Sequence, residues 1–379
     1  MLAGIYDDLL MACGGAARIA YKLMLTGEPL TPGGNPPVIQ TNNLSTFTTS
    51  SLPWTGLGQD LAAGNELIVA TGSEISGSWT QGNFALAVSG DGGATFTRYA
   101  HPQGGRSSFF AGSSIAFGRG LFVLATPDLS GYFTIYTSPD GSAWTARSAP
   151  FIGSAQVSFV NGVFFAFGFD TVNNVAAYAT SSDGVSFARR PDLWPSAGGA
   201  TANGSGAAPI NSVDFSNGFW IIGAHPQNGN VEIAFSTDLA NFTKQALPWG
   251  NNVSLVQGTA YVGGVAYFKG LYYATGSTGV APYRQIATSV DLKSWSPLAT
   301  SINNGGLGAP MNMGDRLVLF LRTGFPNDYI DVNGNTGATI YHPTNVDFET
   351  YMTTDGATFG QAALPTLLWR PIGFKLIST

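Results

Sequence analysis

The chain has 379 residues, of which 50 are glycine and only 10% are charged, and its formal net charge is −6. Soluble domains usually carry about 25% charged residues, and coiled coils and helical repeats need many of them on their exposed faces. The composition therefore excludes those classes and favours an all-β fold with many tight turns. A negative net charge offers no attraction to a phosphate backbone, and no apolar run approaches the roughly 20 residues of a membrane span. We therefore expect no nucleic-acid partner and no membrane-spanning segment.

Residues 1–35 are predicted to form an amphipathic helical segment followed by a Pro/Gly-rich tether. Four apolar side chains recur there at helical spacing, namely Ile5, Leu9, Ile19 and Leu23. Two interpretations remain open, a helix packed on the chain's own surface and a helix that docks into another subunit. The second is favoured, because a closed fold has little need of an appended apolar helix. Asp7 and Asp8 stand where a signal peptide would be apolar, so we expect no signal peptide.

A Ser/Thr-x-Asp turn followed by an aromatic residue recurs along residues 36–379. Its index residues are Asp91, Asp140, Asp183, Asp238, Asp291 and Asp355, with a degenerate seventh copy at Asn43. In such a turn the carboxylate accepts hydrogen bonds from backbone amides of its own turn. These aspartates are therefore predicted to be structural.

A second signal alternates with the first and consists of two apolar stretches around a Gly-containing turn, as in residues 157–166 and 213–222. Asn-Gly between β-formers is a strong hairpin signal. Each repeat is therefore predicted to contain two hairpins, and seven repeats predict a seven-bladed β-propeller of four-stranded blades over residues 36–379. The two signals are out of phase at the chain ends, which predicts that one blade is built from both ends.

Residues 89–96 read Ser-Gly-Asp-Gly-Gly-Ala-Thr-Phe and resemble the Asp-box, or BNR repeat, of sialidase-like propellers. The resemblance implies a propeller whose Asp-box turns join the third and fourth strands of each blade. A sialidase would also need an arginine triad, a Tyr/Glu nucleophile pair and an acid/base Asp. No Arg-Ile-Pro segment opens the propeller, and no glutamate there has a Tyr partner that the sequence singles out. We therefore expect no catalytic residues, with a sialidase-like glycoside hydrolase as the alternative.

The last full blade carries the longest insertion, between Leu321 and Glu349. It contains alternating oxygen-bearing side chains at Asp331, Asn333 and Asn335, an arrangement similar to the start of a calcium loop. The Gly falls one position late, however, and His342 stands where the calcium loop has Glu. We expect a plain turn, with these three residues as weak metal candidates, and no cofactor. The single Cys13 excludes a disulfide framework.

The connections on the side opposite these turns are long and are predicted to carry recognition. They display the aromatic residues Trp79, Phe109, Phe110, Trp194, Trp249, Tyr329 and Tyr341. Exposed, these side chains would stack on sugars or contact a protein, whereas folded inward they would only pack the loops. Both arrangements remain open.

A charge-poor propeller with an amino-terminal attachment segment resembles virion components of tailed bacteriophages. We therefore expect a non-enzymatic structural and adhesive virion subunit, assembled in the host cytoplasm. Residues 1–35 would attach it to other virion subunits, and the long loops would contact a host-surface glycan or protein, or a neighbouring subunit. An intracellular protein-interaction scaffold is the third hypothesis.

Overall fold

The computed structural model describes residues 21–29, 34–43, 45–75, 81–104, 106–108, 113–127, 132–173, 175–194, 210–224, 231–249, 260–278, 284–298, 306–307, 309–322, 330–332, 339–341, 348–362 and 368–378. Within these ranges the regular structure is β-strand. None of the described residues forms a helix long and apolar enough to cross a membrane.

The first strands in chain order are β1 (Tyr21–Pro29), β2 (Pro37–Thr41), β3 (Thr48–Ser51), β4 (Gly56–Gly64), β5 (Leu67–Ile75), β6 (Gln81–Ser89), β7 (Thr97–Tyr99), β8 (Arg106–Ser108), β9 (Ser114–Gly118), β10 (Leu121–Pro127), β11 (Phe133–Ser138) and β12 (Thr145–Arg147). They are followed by β13 (Gly153–Val160), β14 (Val163–Asp170), β15 (Val175–Ser181), β16 (Ala188–Arg189), β17 (Ile210–Ser216), β18 (Phe219–Ala224), β19 (Glu232–Ser236), β20 (Thr243–Ala246), β21 (Ala260–Phe268) and β22 (Leu271–Thr278). The remaining strands are β23 (Arg284–Ser289), β24 (Ser296–Pro297), β25 (Gly306–Leu307), β26 (Met311–Asn312), β27 (Leu317–Arg322), β28 (Ile330–Val332), β29 (Thr339–Tyr341), β30 (Phe348–Thr353), β31 (Gly360–Ala362) and β32 (Leu368–Ser378).

The strands form seven antiparallel sheets, which are the blades of a propeller. Blade 1 has the order β3-β2-β1-β32; blade 2 contains β4 to β7 with β8 beside β6; blades 3, 4, 5 and 6 contain β9–β12, β13–β16, β17–β20 and β21–β24. Blade 7 contains β27, β30 and β31, with β25 and β26 both paired to β27. β28 and β29 form a separate hairpin within its insertion. The prediction of an all-β seven-bladed propeller is confirmed, and most blades have four strands.

Blade 1 corrects the predicted extent of the amino-terminal helix. Residues 21–29 form β1, which pairs with β2 on one side and with β32 on the other. Leu23 is buried in the core together with Leu25 and Ile39 rather than available to a partner, so its assignment as a docking residue is wrong. A strand inside a blade is covered on both faces, and this burial outweighs the helical spacing. Ile5, Leu9 and Ile19 lie outside the described residues.

The core lies between the blades. Seven clusters of buried side chains occur among the described residues, one at each junction of neighbouring blades. At the junction of blades 3 and 4, for example, Val123 and Ala125 pack with Phe164 and Ala166. The second strands of the blades, such as β10, β14 and β18, are therefore mostly apolar, and β15, the third strand of blade 4, is buried at every position. This burial explains why the chain needs few charged residues.

The ring has two unlike sides. In each complete blade the first hairpin turn and the Asp-box turn lie on one side, which we call the turn face, and the remaining connections lie on the other, the loop face. Asn65 in the first turn of blade 2 donates to the carbonyls of Gly120 and Pro139 in the two turns of blade 3, each at 3.1 Å. Further bonds of this kind join later blades: Arg119 to Gly162, Asn217 to Tyr272, Asn312 to Tyr267 and Arg316 to Asn43.

Candidate recognition site

The Asp-box turns are closed by hydrogen bonds within each turn. In blade 3 the Ser138 hydroxyl donates to Asp140 Oδ1 at 3.0 Å, and the same oxygen accepts from the amides of Ser142 and Ala143. The backbone hydrogen bonds, that from Ser142 first, lower the pKa of Asp140 to about 2. Equivalent bonds surround Asp183, Asp238, Asp291 and Asp355, and Asn43 accepts the same amide bonds in blade 1. Asp91 differs, because it bonds mainly to Thr95.

A glycine in the Asp-box turn allows the turn to pack closely against the preceding blade. Gly141 has a φ of +73°, and a Cβ there would collide with Val69 of blade 2. Gly356 lies similarly against blade 6, where its carbonyl accepts from the Tyr273 hydroxyl at 2.6 Å. The turns thus help to join neighbouring blades, and their oxygen atoms are already used within the fold.

Replacing Asp140 tests this structural role. Asp140→Ala is expected to lower the free energy of unfolding by about 1 kcal/mol, because two turn amides lose their acceptor. Asp140→Asn retains an acceptor oxygen, so its free energy of unfolding should fall clearly less than that of Asp140→Ala. Urea denaturation at pH 7 would measure both. Equal losses in the two variants would show that the carboxylate oxygen does not hold the turn.

Two inner-strand carboxylates bond to the next blade. Asp60 Oδ2 accepts from the amide of Ile115 at 2.9 Å and from the Ser114 hydroxyl at 3.2 Å. Asp214 Oδ2 accepts from the amide of Val265 at 3.1 Å. Burial raises the pKa of Asp214 to about 7, and the hydrogen bond from Val265 opposes that rise. Inner strands of neighbouring blades do not pair with each other, so these side chains satisfy amides that would otherwise lack partners.

Several loop-face aromatics turn inward. Trp54, Phe151 and Trp249 each follow the outer strand of one blade and are buried at the junction with the next. Trp249 is therefore core rather than displayed, which is the inward-folded one of the two arrangements that the sequence left open. The tripeptide Leu-Pro-Trp occurs at both 52–54 and 247–249, and this repetition is the sequence feature that indicates a shared buried position. An aromatic at this point covers the apolar junction that a short outer strand leaves open.

Trp194 lies on the loop face and is held by polar neighbours. Its Nε1 donates to Glu232 Oε2 at 2.8 Å, and Lys244 Nζ lies 5.9 Å from its ring centroid. The half-buried ring also packs against the core of blades 4 and 5. Trp194 is thus part of a fixed junction, and little of its ring remains for stacking on a ligand.

The other aromatic candidates are not brought together in the described structure. Trp79, Phe109, Phe110 and Tyr329 lie outside the described residues, as do Asn333 and Asn335. Tyr341 lies in β29 and Asp331 in β28, on the hairpin of the blade 7 insertion. Among the described residues no group of three or more His, Cys, Asp or Glu side chains is arranged to hold a metal ion.

An apolar patch that the sequence analysis missed lies on the loop face of blades 3 and 4. The exposed large hydrophobic side chains of the described residues are Tyr99 (39%), Tyr132 (47%), Ile152 (48%), Val172 (68%) and Val290 (69%). Only Val290 stands in a turn of the turn face. Tyr132, Ile152 and Val172 occupy adjacent loop-face connections, and we call these three residues the loop-face patch.

Backbone contacts hold the loop-face patch together. The carbonyl of Ile152 accepts from the amide of Thr171 at 2.8 Å, next to Val172. The residues beside Tyr132 and Ile152, Phe133 and Phe151, contact each other in a tilted arrangement with ring centroids 4.9 Å apart. The three patch residues therefore lie on neighbouring connections at one blade junction.

A buried polar network fixes the position of Val172. Asp170 Oδ1 accepts from the amide of Val172 at 3.0 Å, while Arg189 donates to the other oxygen and to Asp192. Burial opposes ionisation of Asp170, but the hydrogen bonds from Asn173 and Arg189 outweigh it and lower its pKa. The backbone at Val172 is thus held by hydrogen bonds before any partner arrives.

Comparison with known proteins supports the fold. No protein-family model and no curated protein sequence matches the chain. The structure is similar to that of the lectin BP39L from Burkholderia pseudomallei, with a TM-score of 0.56 at 11% identity over 92% of this chain and 98% of that one. It is also similar to virginiamycin B lyase from Staphylococcus aureus, with a TM-score of 0.52 at 13% identity over 79% and 95%.

A more distant similarity connects the chain to the Hadza microbial sialidase Hz136, with a TM-score of 0.40 at 10% identity over 77% of this chain and 72% of that one. The lectin and the lyase differ in what their names say they do, and at such identities the likeness of this chain to them concerns the fold alone. The chain has the all-β seven-bladed propeller fold, and its activity must be argued from its own surface.

Proposed function

We propose that the chain is a non-enzymatic structural and adhesive subunit of a larger assembly, and that the loop-face patch binds a protein partner. The virion of a tailed bacteriophage is the assembly that the sequence resemblance favours. The observation that carries the proposal is the exposure of Tyr132, Ile152 and Val172 on neighbouring loop-face connections. Exposed large apolar side chains grouped on one surface are typical of protein-binding sites.

The course of the chain is consistent with this proposal. Tyr21 pairs with Ser378 at the turn-face end of β1, so the segment before residue 21 joins the ring on the turn face. The loop-face patch lies on the opposite side. An attachment made through the amino-terminal segment would leave that patch free for a second partner.

The chemistry of the patch favours a protein over a glycan. Tyr132 alone has a flat ring that could stack on a sugar, whereas Ile152 and Val172 have branched aliphatic side chains, which offer sugars neither a flat surface nor a hydrogen bond. Burying such side chains against apolar groups of a partner is favourable by about 25 cal/mol per Å². A host-surface protein or a neighbouring subunit meets this requirement.

Charge substitutions in the patch test the proposal. Ile152→Asp and Val172→Asp are expected to weaken attachment to host cells at least tenfold, because a partner would have to bury an unpaired carboxylate. Val290→Asp, equally exposed but on the turn face, is the matched control and should bind like the wild type. The readout is binding of labelled protein to cells of the host, together with a glycan array.

Incorporation into particles is a separate measurement. The patch variants should still cosediment with assembled particles, whereas a chain lacking residues 1–20 should not. Wild-type protein absent from purified particles would refute the virion assignment. Equal loss of cell binding in Val290→Asp, or strong binding to the glycan array that survives both patch substitutions, would refute the loop-face patch as the recognition surface.

A further inference from the structure

A short turn interrupts the outer edge of blade 2. Both β7 and β8 pair with β6, at positions such as Val88↔Thr97 and Gln81↔Ser108. Between them the chain leaves the sheet, and the amide of Gly104 donates to the carbonyl of His101 at 3.0 Å. We call residues 100–104 the His101 turn. It lies at the junction of blades 2 and 3.

The imidazole of His101 is inserted into the protein. The residue is 8% exposed, and its ring stacks on Phe84 at 4.8 Å with an interplanar angle of 17°. Nδ1 accepts from the amide of Gln103 at 3.3 Å, so the proton of the neutral ring is on Nε2. Nε2 is buried and has no hydrogen-bond partner among the described residues. An unsatisfied buried donor costs about 1–3 kcal/mol, so burying Nε2 lowers the stability of the closed turn.

The His101 turn also contacts the next blade. Gln103 Oε1 accepts from the Tyr136 hydroxyl of β11 at 2.7 Å. Through Phe84 on one side and Tyr136 on the other, the position of His101 helps to fix how blades 2 and 3 meet at this edge.

Within the described residues, the strands that adjoin the His101 turn supply no unpaired carboxylate to balance a charged His101. β6 contains no charged residue, and Tyr136 is the only titratable residue of β11. On β7, Arg98 is paired with Glu74 of β5 by two bonds of 2.7 and 2.6 Å. Burial lowers the pKa of His101 from 6.5 to about 3. Neutral imidazole fits this site and imidazolium does not.

We propose that the His101 turn is an acid-sensitive latch between blades 2 and 3. Protonation expels the imidazole from its stack on Phe84, removes the Nδ1 acceptor of the Gln103 amide and frees Gln103 from Tyr136. The edge of blade 2 at residues 97–108 then opens while the rest of the ring stays closed. The trigger is mild acid.

Proton linkage fixes the direction and size of the effect. The open turn, with His101 in water, binds a proton near pH 6.5, whereas the closed turn does not do so above about pH 3. Opening therefore becomes more favourable as pH falls below 6.5, and the open fraction should rise roughly 100-fold between pH 7.5 and pH 4.5.

Hydrogen exchange of the peptide covering residues 97–108 tests the latch, after correction for the intrinsic pH dependence of exchange. Wild-type protein should show the 100-fold rise in opening, and His101→Phe, which keeps the stack but cannot titrate, should show none. His101→Gln serves as a second non-titrating variant if the Phe variant does not fold. The turn around Asp140 should stay protected at both pH values in every variant.

Equal opening of wild type and the non-titrating variants at pH 4.5 would overturn the proposal. Nuclear magnetic resonance gives an independent check, because the chain has only three histidines and His101 can be assigned from its variant. A His101 ring that titrates at pH 6 or above would also overturn it, since the closed turn would then accept the charge.

Discussion

Removal of residues 368–378 is expected to abolish the cooperative unfolding transition of the ring. β32 is the innermost strand of blade 1, and all nine residues of β1 have a partner in it. Without β32, the open edge of β1 and the apolar junction formed by Leu23, Leu25 and Val318 would face water. A ring that has lost one inner strand cannot close around its remaining blades.

Circular dichroism on heating and size-exclusion chromatography would measure this loss. The matched control is deletion of residues 1–20, which precede β1 and should leave the transition intact. A synthetic peptide covering residues 365–379 should restore folding in trans. A truncated chain that melts like the wild type would show that β32 does not complete the ring.

Asp214→Asn is expected to stabilise the ring by roughly 2 kcal/mol at pH 8. Asp214 occupies a position where blades 2, 3 and 6 have the buried alanines Ala62, Ala116 and Ala266. Burial of its carboxyl raises its pKa to about 7. The folded chain therefore keeps this proton up to pH 7, whereas the unfolded chain releases it near pH 4. The free energy of unfolding of the wild type therefore falls as pH rises from about 4 to 7 and stays low above pH 7.

Asparagine is neutral at every pH and retains an oxygen for the amide of Val265. The gain of Asp214→Asn over wild type should therefore shrink as pH falls from 8 to 5, because the wild-type carboxyl becomes protonated in the folded protein. Urea denaturation at both pH values measures this difference, and the comparison at equal pH cancels other titrating groups. A gain that does not change with pH would show that Asp214 is not the group responsible.

The fold was predictable because its signals are local and repeated. Each Asp-box turn is closed by its own atoms, so residues such as Ser138 and Asp140 specify the same geometry wherever they occur. Asn-Gly turns place hairpins in the same way. Counting the two signals was therefore enough to reach seven blades.

The sequence was a poor guide for residues whose position depends on burial in the tertiary structure. Leu23 has helical spacing with earlier residues, yet β2 and β32 flank it in a sheet. For Trp249 the sequence left open whether the ring is exposed or buried, and only the structure shows that it covers the junction of blades 5 and 6. The loop-face patch was missed because Ile152 and Val172 look like ordinary strand residues. Their exposure depends on turns whose course only the structure gives.

The seven blade junctions form a circle without a first or last member. An open array of repeats can fray from its ends, one unit at a time, whereas a closed one has no terminal unit to lose. Stability is then held by the disc as a whole, and among the described residues the loop-face connections contribute to it at points where an aromatic such as Trp54 or Trp249 covers a junction. Between those fixed points, the loops are free to diverge in sequence without weakening the disc. One scaffold could in this way change its binding partner over evolution at little cost to folding.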